Sequence, residues 1–241
     1  RHLLSAGGVD GSVCVLSLDT GDPVLMQRAH VHREVVTCLC VVQDVALAPV
    51  LITGSLDSTV RAWRLPNNDV AWGEKVIPPE ALWVACVHWG KVTCVCGNAS
   101  LDMAVSAGED GVIVLQRLSK QKVIRVIRNE RGRKVTMLHL TPLGNVFTYT
   151  QRDETLRMYD VNGHFLFNSL CKQDPLTSLS ATPDGLALIT GSVTGRLTIR
   201  CSSTMAFLQV AVSNSSAAIR HVALSPCCNF IMAVKERGEI E

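Results

Sequence analysis

The chain has 241 residues, of which 47% are hydrophobic and 18% are charged, a balance that suits a folded, soluble globule and argues against disorder. The formal net charge of +2 is too small to indicate nucleic-acid binding, for which a concentrated basic stripe is expected. No apolar run approaches the roughly 20 residues of a membrane-spanning helix. The sequence begins at Arg1 and ends at Glu241 inside a strand pattern, so we expect it to be part of a longer chain.

One sequence pattern recurs from one end of the chain to the other. It consists of an apolar pair, a small or hydroxyl residue, a tight polar turn and then alternating apolar residues. The turn positions follow one another at intervals of 41 to 53 residues: Asp10, Asp57, Asp110, Asp153, Thr194 and Arg237. Apolar alternation such as Val13 and Val15 predicts strands with one buried face, and a period of roughly 40–45 residues predicts propeller blades.

Each full repeat contains four candidate strands. Around Asp57 they are predicted at roughly 34–42, 49–54, 59–65 and 74–79 or a little later. Around Asp153 they are predicted at roughly 134–140, 145–150, 155–161 and 164–170, with Asn162-Gly163 as a two-residue hairpin turn. We therefore predict an all-β fold, a single β-propeller fragment over 1–241 with about six blades, four complete and the first and last partial.

The repeat around Asp57 resembles the WD-repeat family. That family places His before the first strand, Ser or Thr on the second, Asp in the next turn and Trp on the third strand, and these groups form a buried hydrogen-bond chain. The matching residues are His32, Thr53, Asp57 and Trp63. The following repeat keeps His88, Ser106 and Asp110 but has Gln116 in place of Trp; later repeats have Tyr159 and Arg200 there.

A narrower resemblance joins most of the chain to the C-terminal propeller of BEACH-domain, neurobeachin-like proteins. It is carried by the segments 32–39, 51–63, 160–164, 182–191 and 218–225. The resemblance implies a protein-binding scaffold in a large protein that is cytoplasmic or peripheral on intracellular membranes and that acts in vesicle trafficking and membrane-protein sorting. It also implies a BEACH domain next to this segment in the same chain.

Signals for catalysis, metals or cofactors are weak. His32, Thr53 and Asp57 superficially offer a catalytic triad, but the set recurs in the neighbouring repeat, which favours a structural network. No Gly-rich phosphate-binding loop occurs. The ten cysteines lack zinc-ligand spacing, and the pairs Cys38/Cys40 and Cys94/Cys96 are interpreted as small buried hydrophobes. We expect no enzyme activity, no metal and no cofactor.

Two segments are candidates for partner binding. The longest join between repeats, 66–89, carries Trp72, Trp83 and Trp89, and Trp is enriched in binding hot spots. Trp83 could equally cover the edge of the fourth strand, and we expect Trp89 to do so. A basic stretch containing Arg128, Arg131 and Arg133 is either a solvated loop or a patch for an acidic protein or anionic lipid.

Three functions remain open at this point. The leading one is a protein-binding scaffold of the BEACH type, with other proteins as partners and no nucleic acid. The second is a WD-repeat adaptor of another system, such as a ubiquitin ligase or an RNA-processing complex. The third is an enzyme built on a propeller, which would require a cluster of carboxylates or histidines in a central channel.

Overall fold

The computed structural model describes residues 2–6, 10–17, 23–25, 32–43, 49–65, 80–129, 132–212, 217–225, 227–236, 238 and 240. Within these ranges the regular secondary structure consists of β-strands joined by turns. The chain divides into two compact units, Arg1–Arg133 and Lys134–Glu241. No helix among the described residues is long and apolar enough to cross a membrane.

The first unit contains eleven described strands. They are β1 (His2–Ala6), β2 (Val13–Ser17), β3 (Pro23–Leu25), β4 (Val36–Val42), β5 (Val50–Ser55), β6 (Thr59–Arg64), β7 (Glu80–Cys86), β8 (Val92–Asn98), β9 (Met103–Gly108), β10 (Val112–Arg117) and β11 (Lys122–Arg128). They form the sheets β1-β2-β3, β4-β5-β6-β7 and β8-β9-β10-β11, in which each strand pairs with its neighbour in sequence.

The second unit contains ten described strands. They are β12 (Met137–Leu140), β13 (Asn145–Thr150), β14 (Thr155–Asp160), β15 (Phe165–Leu170), β16 (Leu176–Ala181), β17 (Ala187–Ser192), β18 (Arg196–Cys201), β19 (Phe207–Val212), β20 (Ile219–Leu224) and β21 (Ile231–Lys235). They form the sheets β12-β13-β14-β15, β16-β17-β18-β19 and β20-β21.

We call each sheet a blade and number the blades one to six in chain order. Blades two to five each have four antiparallel strands, and the described parts of blades one and six have three and two. The predicted all-β class and the division into four complete and two partial blades are confirmed. The prediction of one continuous domain over 1–241 stays a prediction.

Every complete blade carries the same irregularity, a β-bulge in its fourth strand. One residue of the fourth strand is unpaired opposite one step of the third strand, and these steps are Ala62/Trp63, Leu115/Gln116, Met158/Tyr159 and Ile199/Arg200. Such a bulge bends the strand that carries it. The four third-strand residues after these steps are therefore structurally equivalent, as the sequence spacing predicted.

The blades within each unit pack through apolar side chains. In the first unit, blades two and three share a cluster that includes Ile52, Val60, Trp83 and Val92. They approach so closely at Gly54 that a Cβ atom there would lie 2.5 Å from Val92 Cγ1. In the second unit, blades four and five enclose Phe147, Tyr149, Leu156 and Leu188, and blades five and six enclose Ile189 and Ile219.

The strand predictions agree with the structure within a few residues, with one difference in a turn. The fourth strand of blade two was predicted at 74–79 or a little later and lies at Glu80–Cys86, and residues 66–79 fall outside the described part of the chain. The turn at Asn162-Gly163 closes a three-residue loop between Asp160 and His164, because Asp160 N–H donates to His164 O. Gly163 has φ +86°, the left-handed conformation that completes such a loop.

Candidate functional site

The residues predicted to form a WD-type network meet in blade two. Trp63 Nε1 donates to Thr53 Oγ1 at 3.2 Å, and Thr53 Oγ1 lies 2.8 Å from His32 Nε2. His32 Nδ1 lies 3.1 Å from Asp57 Oδ2. The carboxylate of Asp57 can only accept, so His32 donates from Nδ1 and carries its proton there. His32 Nε2 then accepts from Thr53 Oγ1, which itself accepts from the indole of Trp63, and the hydrogen bonds run from Trp63 to Asp57.

Asp57 is the acceptor at the end of this chain and also organises the turn. It accepts hydrogen bonds from Arg33 N–H at 3.1 Å, Thr59 N–H at 2.9 Å and Thr59 Oγ1 at 2.6 Å. Burial alone would raise its pKa, but the bonds from Thr59 and Arg33, together with His32, outweigh burial and lower the pKa to about 2. Asp57 is therefore ionised at neutral pH and ties the loop before β4 to the turn before β6.

Blade three repeats the histidine, hydroxyl and aspartate of this network but not the indole. His88 Nε2 lies 2.9 Å from Ser106 Oγ, and His88 Nδ1 lies 3.4 Å from Asp110 Oδ1. Gln116 takes the position of Trp63, and both polar atoms of its buried amide lack a hydrogen-bond partner. The hydrogen-bond chain of blade three therefore begins at Ser106.

Three histidines with lowered pKa make the stability of the protein depend on pH. Burial lowers the pKa of His32 and His88, although Asp57 and Asp110 act in the opposite direction, and burial lowers the pKa of His139 to about 4. Because the unfolded chain binds protons more tightly, the stabilisation is complete above about pH 6.5 and is lost as pH falls from there toward 4.

We expect urea denaturation to show a lower free energy of unfolding at pH 5 than at pH 7.5, because the unfolded state gains protons that the native state excludes. His139→Gln should weaken this pH dependence. His164→Gln is the matched control, because His164 is exposed and bonded to Asp160. Equal pH dependence in the His139 and His164 variants would contradict the expectation.

Blades four and five depart further from the WD pattern. Tyr159 and Arg200 occupy the position of Trp63, as the sequence predicted. Tyr159 packs edge-on against Phe165 with the ring centres 5.9 Å apart. Arg200 is buried and reaches Ser169 Oγ of the preceding blade at 3.0 Å. The side chain at this position therefore changes in every complete blade.

The tryptophans of the long join do not lie where the sequence suggested. Trp83 is only 4% exposed, and its Nε1 donates to Leu118 O at 2.9 Å. Of the two interpretations of Trp83, partner binding and covering of a strand edge, its burial on β7 in the core between blades two and three favours the second. Trp89 was expected to cover a strand edge but is 95% exposed. Trp72 lies outside the described residues.

Trp89 is exposed because of the network in blade three. Its N–H donates to Asp110 Oδ2 at 3.0 Å, as Arg33 N–H donates to Asp57 in blade two. This bond fixes the backbone directly after the buried His88, so the next side chain projects outward. The signal was available in the sequence, because Arg33 and Trp89 both directly follow the network histidine.

A cavity of about 560 Å³ lies beside Trp89. We call its described walls the Trp89 surface: Val87, Trp89, Asp110, Val112, Val126, Arg128, Asn129 and Gly132. Arg128, a predicted partner-binding residue, is exposed on this surface. Arg133 lies close by, where its carbonyl accepts from Asn129 Nδ2 at 3.1 Å. Arg131 falls outside the described part of the chain.

The paired cysteines pack between blades. Cys38 and Cys40 contact the apolar cluster of blades two and three, and burial raises the pKa of Cys38 to about 12. Cys96 is also buried. Within the described ranges, no group of three or more His, Cys, Asp or Glu side chains is placed to hold a metal ion.

The repeated four-stranded sheets and the Trp-Thr-His-Asp network of blade two define a WD-repeat β-propeller. The family model of the neurobeachin beta propeller domain matches residues 1–210, so the chain belongs to this family. Both the fold class and the BEACH-type resemblance are thereby confirmed.

Relatives of the same kind are found in plants and nematodes. BEACH domain-containing protein B of Arabidopsis thaliana is 28% identical over 217 residues, which cover 85% of this chain and 8% of the relative. A putative neurobeachin homolog of Caenorhabditis elegans is 25% identical over 252 aligned positions, covering 100% of this chain and 10% of the relative. The chain thus spans about a tenth of these proteins.

Proposed function

We propose that this propeller segment is a non-catalytic protein-binding platform within a BEACH-domain protein. We further propose that the parent protein acts in vesicle trafficking and membrane-protein sorting, in the cytoplasm and at the periphery of intracellular membranes. Membership of the neurobeachin propeller family supports this role. A neighbouring BEACH domain in the same chain is one candidate partner, and other proteins are further ones.

The observation that carries the proposal is the exposure of Trp89. An indole that is 95% exposed contributes little to the fold, because almost none of its surface leaves water. Trp is the residue most enriched at the centres of protein interfaces, where it fills a pocket on the partner. Trp89 therefore has the properties of an anchor that a partner covers.

The neighbours of Trp89 complete a surface of the kind that proteins recognise. Val126 is 51% exposed and lies on β11, the edge strand of blade three, next to the exposed Arg128. Aromatic, aliphatic and arginine side chains are the groups that dominate binding energy at interfaces. Arg128 and Arg133 add positive charge, which favours an acidic partner surface.

We expect Trp89→Ala to weaken binding of the partner by about 30-fold, which corresponds to about 2 kcal/mol for a hot-spot residue. Proximity labelling in cells that express the full-length parent protein would identify the partners, and titration of purified partner would give the affinity. Arg128→Ala should weaken the same interaction to a smaller extent and make the affinity less dependent on salt concentration, because a screened charge is removed.

Phe230→Ala is the matched control, because Phe230 is a 72% exposed aromatic residue in the second unit. Circular dichroism would verify that all variants fold. If Trp89→Ala and Arg128→Ala retain every partner that Phe230→Ala retains, with equal affinities, the proposed role of this surface is refuted.

A further inference from the structure

A second cavity, of about 580 Å³, lies between blades four and five within the second unit. Its walls come from the segment that follows β15 and from strands β17, β18 and β19. The polar residues of its lining include Lys172, Asp174, Thr190, Thr198 and Arg200. The cavity lies where blade two has its buried network.

Backbone pairing establishes the equivalence of the two places. Arg200 pairs with Leu188 as Trp63 pairs with Leu51. Val193 N–H donates to Pro175 O as Leu56 N–H donates to Val35 O. Counting from these bonds, Lys172 occupies the position of His32, Thr190 that of Thr53 and Thr194 that of Asp57.

The residues of blade five at these positions carry positive charge where the network of blade two carries negative charge. Blade two combines a neutral imidazole and an indole with one ionised carboxylate, Asp57. Blade five has two cations, Lys172 and Arg200, in place of the imidazole and the indole, and a hydroxyl in place of the carboxylate. The nearby Asp174 accepts a hydrogen bond from Thr194 Oγ1 at 2.5 Å.

Arg200 is held in place without a counter-charge. It is 5% exposed, its Nη1 donates to Ser169 Oγ at 3.0 Å, and its guanidinium carbon lies 4.2 Å from the centre of the Phe207 ring. Its Nε has no hydrogen-bond partner, and no carboxylate of the described residues forms an ion pair with it. A buried cation without an anion is costly, so the site is suited to an anion that a ligand supplies.

The rim of the cavity is apolar and open to solvent. Leu170 is 62% exposed, Phe207 61% and Val210 49%. Leu170 ends β15 and the other two lie on β19, and both strands are edge strands of their sheets. Apolar side chains that flank a buried cation fit an extended chain with an acidic residue between apolar ones.

We propose that the cavity between blades four and five binds an extended peptide of a partner protein through an oxyanion, either a carboxylate or a phosphate, that pairs with Arg200 and Lys172. The apolar neighbours of that acidic residue pack on Leu170, Phe207 and Val210. This site goes beyond the Trp89 surface, and its existence does not depend on the proposed function of that surface.

The test is a fluorescence polarisation titration of the full chain with labelled seven-residue peptides. The central residue is Asp, Glu, phosphoserine, Asn or Ser, and the flanking residues are varied among leucine, valine and phenylalanine. We expect the acidic peptides to bind and their Asn or Ser counterparts to bind about tenfold more weakly, because a charge-assisted bond is lost. Comparison of Asp with phosphoserine distinguishes the two sources of the oxyanion.

Arg200→Gln should reduce binding of the acidic peptides to the level of the neutral ones. Lys172→Gln is the second variant, since the exposed Lys172 is not required for folding, and it should weaken binding about threefold. Lys120→Gln removes the same charge from an exposed position of the first unit and should leave binding unchanged. Trp89→Ala should also leave it unchanged, which separates this site from the Trp89 surface.

Several outcomes would overturn the proposal. They are absence of binding by every acidic peptide, equal binding by acidic and neutral peptides, and an affinity that Lys172→Gln leaves unaltered. Binding only to vesicles that contain phosphatidylserine, without peptide binding, would overturn it in favour of a membrane surface.

Discussion

Replacing Asp57 with alanine should lower the free energy of unfolding by about 3 kcal/mol, a loss typical of breaking a partly buried charged network. The substitution removes the acceptor of His32 Nδ1, of two backbone N–H groups and of Thr59 Oγ1. His32, which is 1% exposed, would then keep a buried N–H donor without its carboxylate partner. Urea denaturation followed by circular dichroism would measure the change.

Asp110→Ala in blade three provides the comparison. Asp110 accepts from Trp89 N–H and Val112 N–H, and its distance to His88 Nδ1 is longer, at 3.4 Å. Because blade three also lacks the indole, we expect a smaller loss of about 1.5 kcal/mol. An Asp57 variant that is no less stable than the Asp110 variant would show that the complete network adds nothing to the fold.

The effect of Asp57→Ala should itself depend on pH. The folded-state pKa of Asp57 is about 2, below its ordinary value of 3.8, so its contribution is present above pH 3.8 and is lost as pH falls toward 2. The difference in stability between the wild type and Asp57→Ala should therefore shrink over this interval. A difference that stays constant down to pH 2 would contradict the assigned ionisation.

Replacing Gly54 with valine should destabilise the protein by about 3 kcal/mol, at the upper end of the cost of overpacking a core. A Cβ atom at this position would lie 2.5 Å from Val92 Cγ1 and 2.8 Å from Cys38 Sγ. Both neighbours belong to the packed layer between blades two and three. Thermal denaturation would show the loss as a lower melting temperature.

Gly90→Ala is the matched control, because the nearest atoms to its added Cβ lie 3.7 and 4.0 Å away and its backbone does not require glycine. We expect a change within about 0.5 kcal/mol. If both glycine variants melt at the temperature of the wild type, the blades do not need the close approach at Gly54.

Much of the architecture could be predicted from the sequence because it follows from the spacing of turns and of apolar residues along the chain. The polar turns at Asp57, Asp110 and Asp153 recur at nearly regular intervals, and apolar alternation identifies the strands between them. The network of blade two could be predicted because each of its four side chains has a recognisable place in the repeat. These features depend on positions that recur at a fixed place within the repeat.

The candidate binding sites could not be predicted in the same way. Trp83 and Trp89 are six residues apart in one sequence segment, yet one is buried and the other is exposed. The difference depends on strand orientation and on the hydrogen bond to Asp110, which join residues distant in sequence. The substitution of Arg200 for Trp was visible, but the cavity beside it depends on how two sheets pack.

The bulge in the fourth strand has an evolutionary consequence. It is present in all four complete blades, although the third-strand residue beside it is Trp63, Gln116, Tyr159 or Arg200. The backbone therefore holds this position in place whichever side chain occupies it. Mutations there can exchange a structural residue for a ligand-binding one while the strand pairing stays the same, so repetition of one blade supplies the chain with several locations at which new recognition can arise independently.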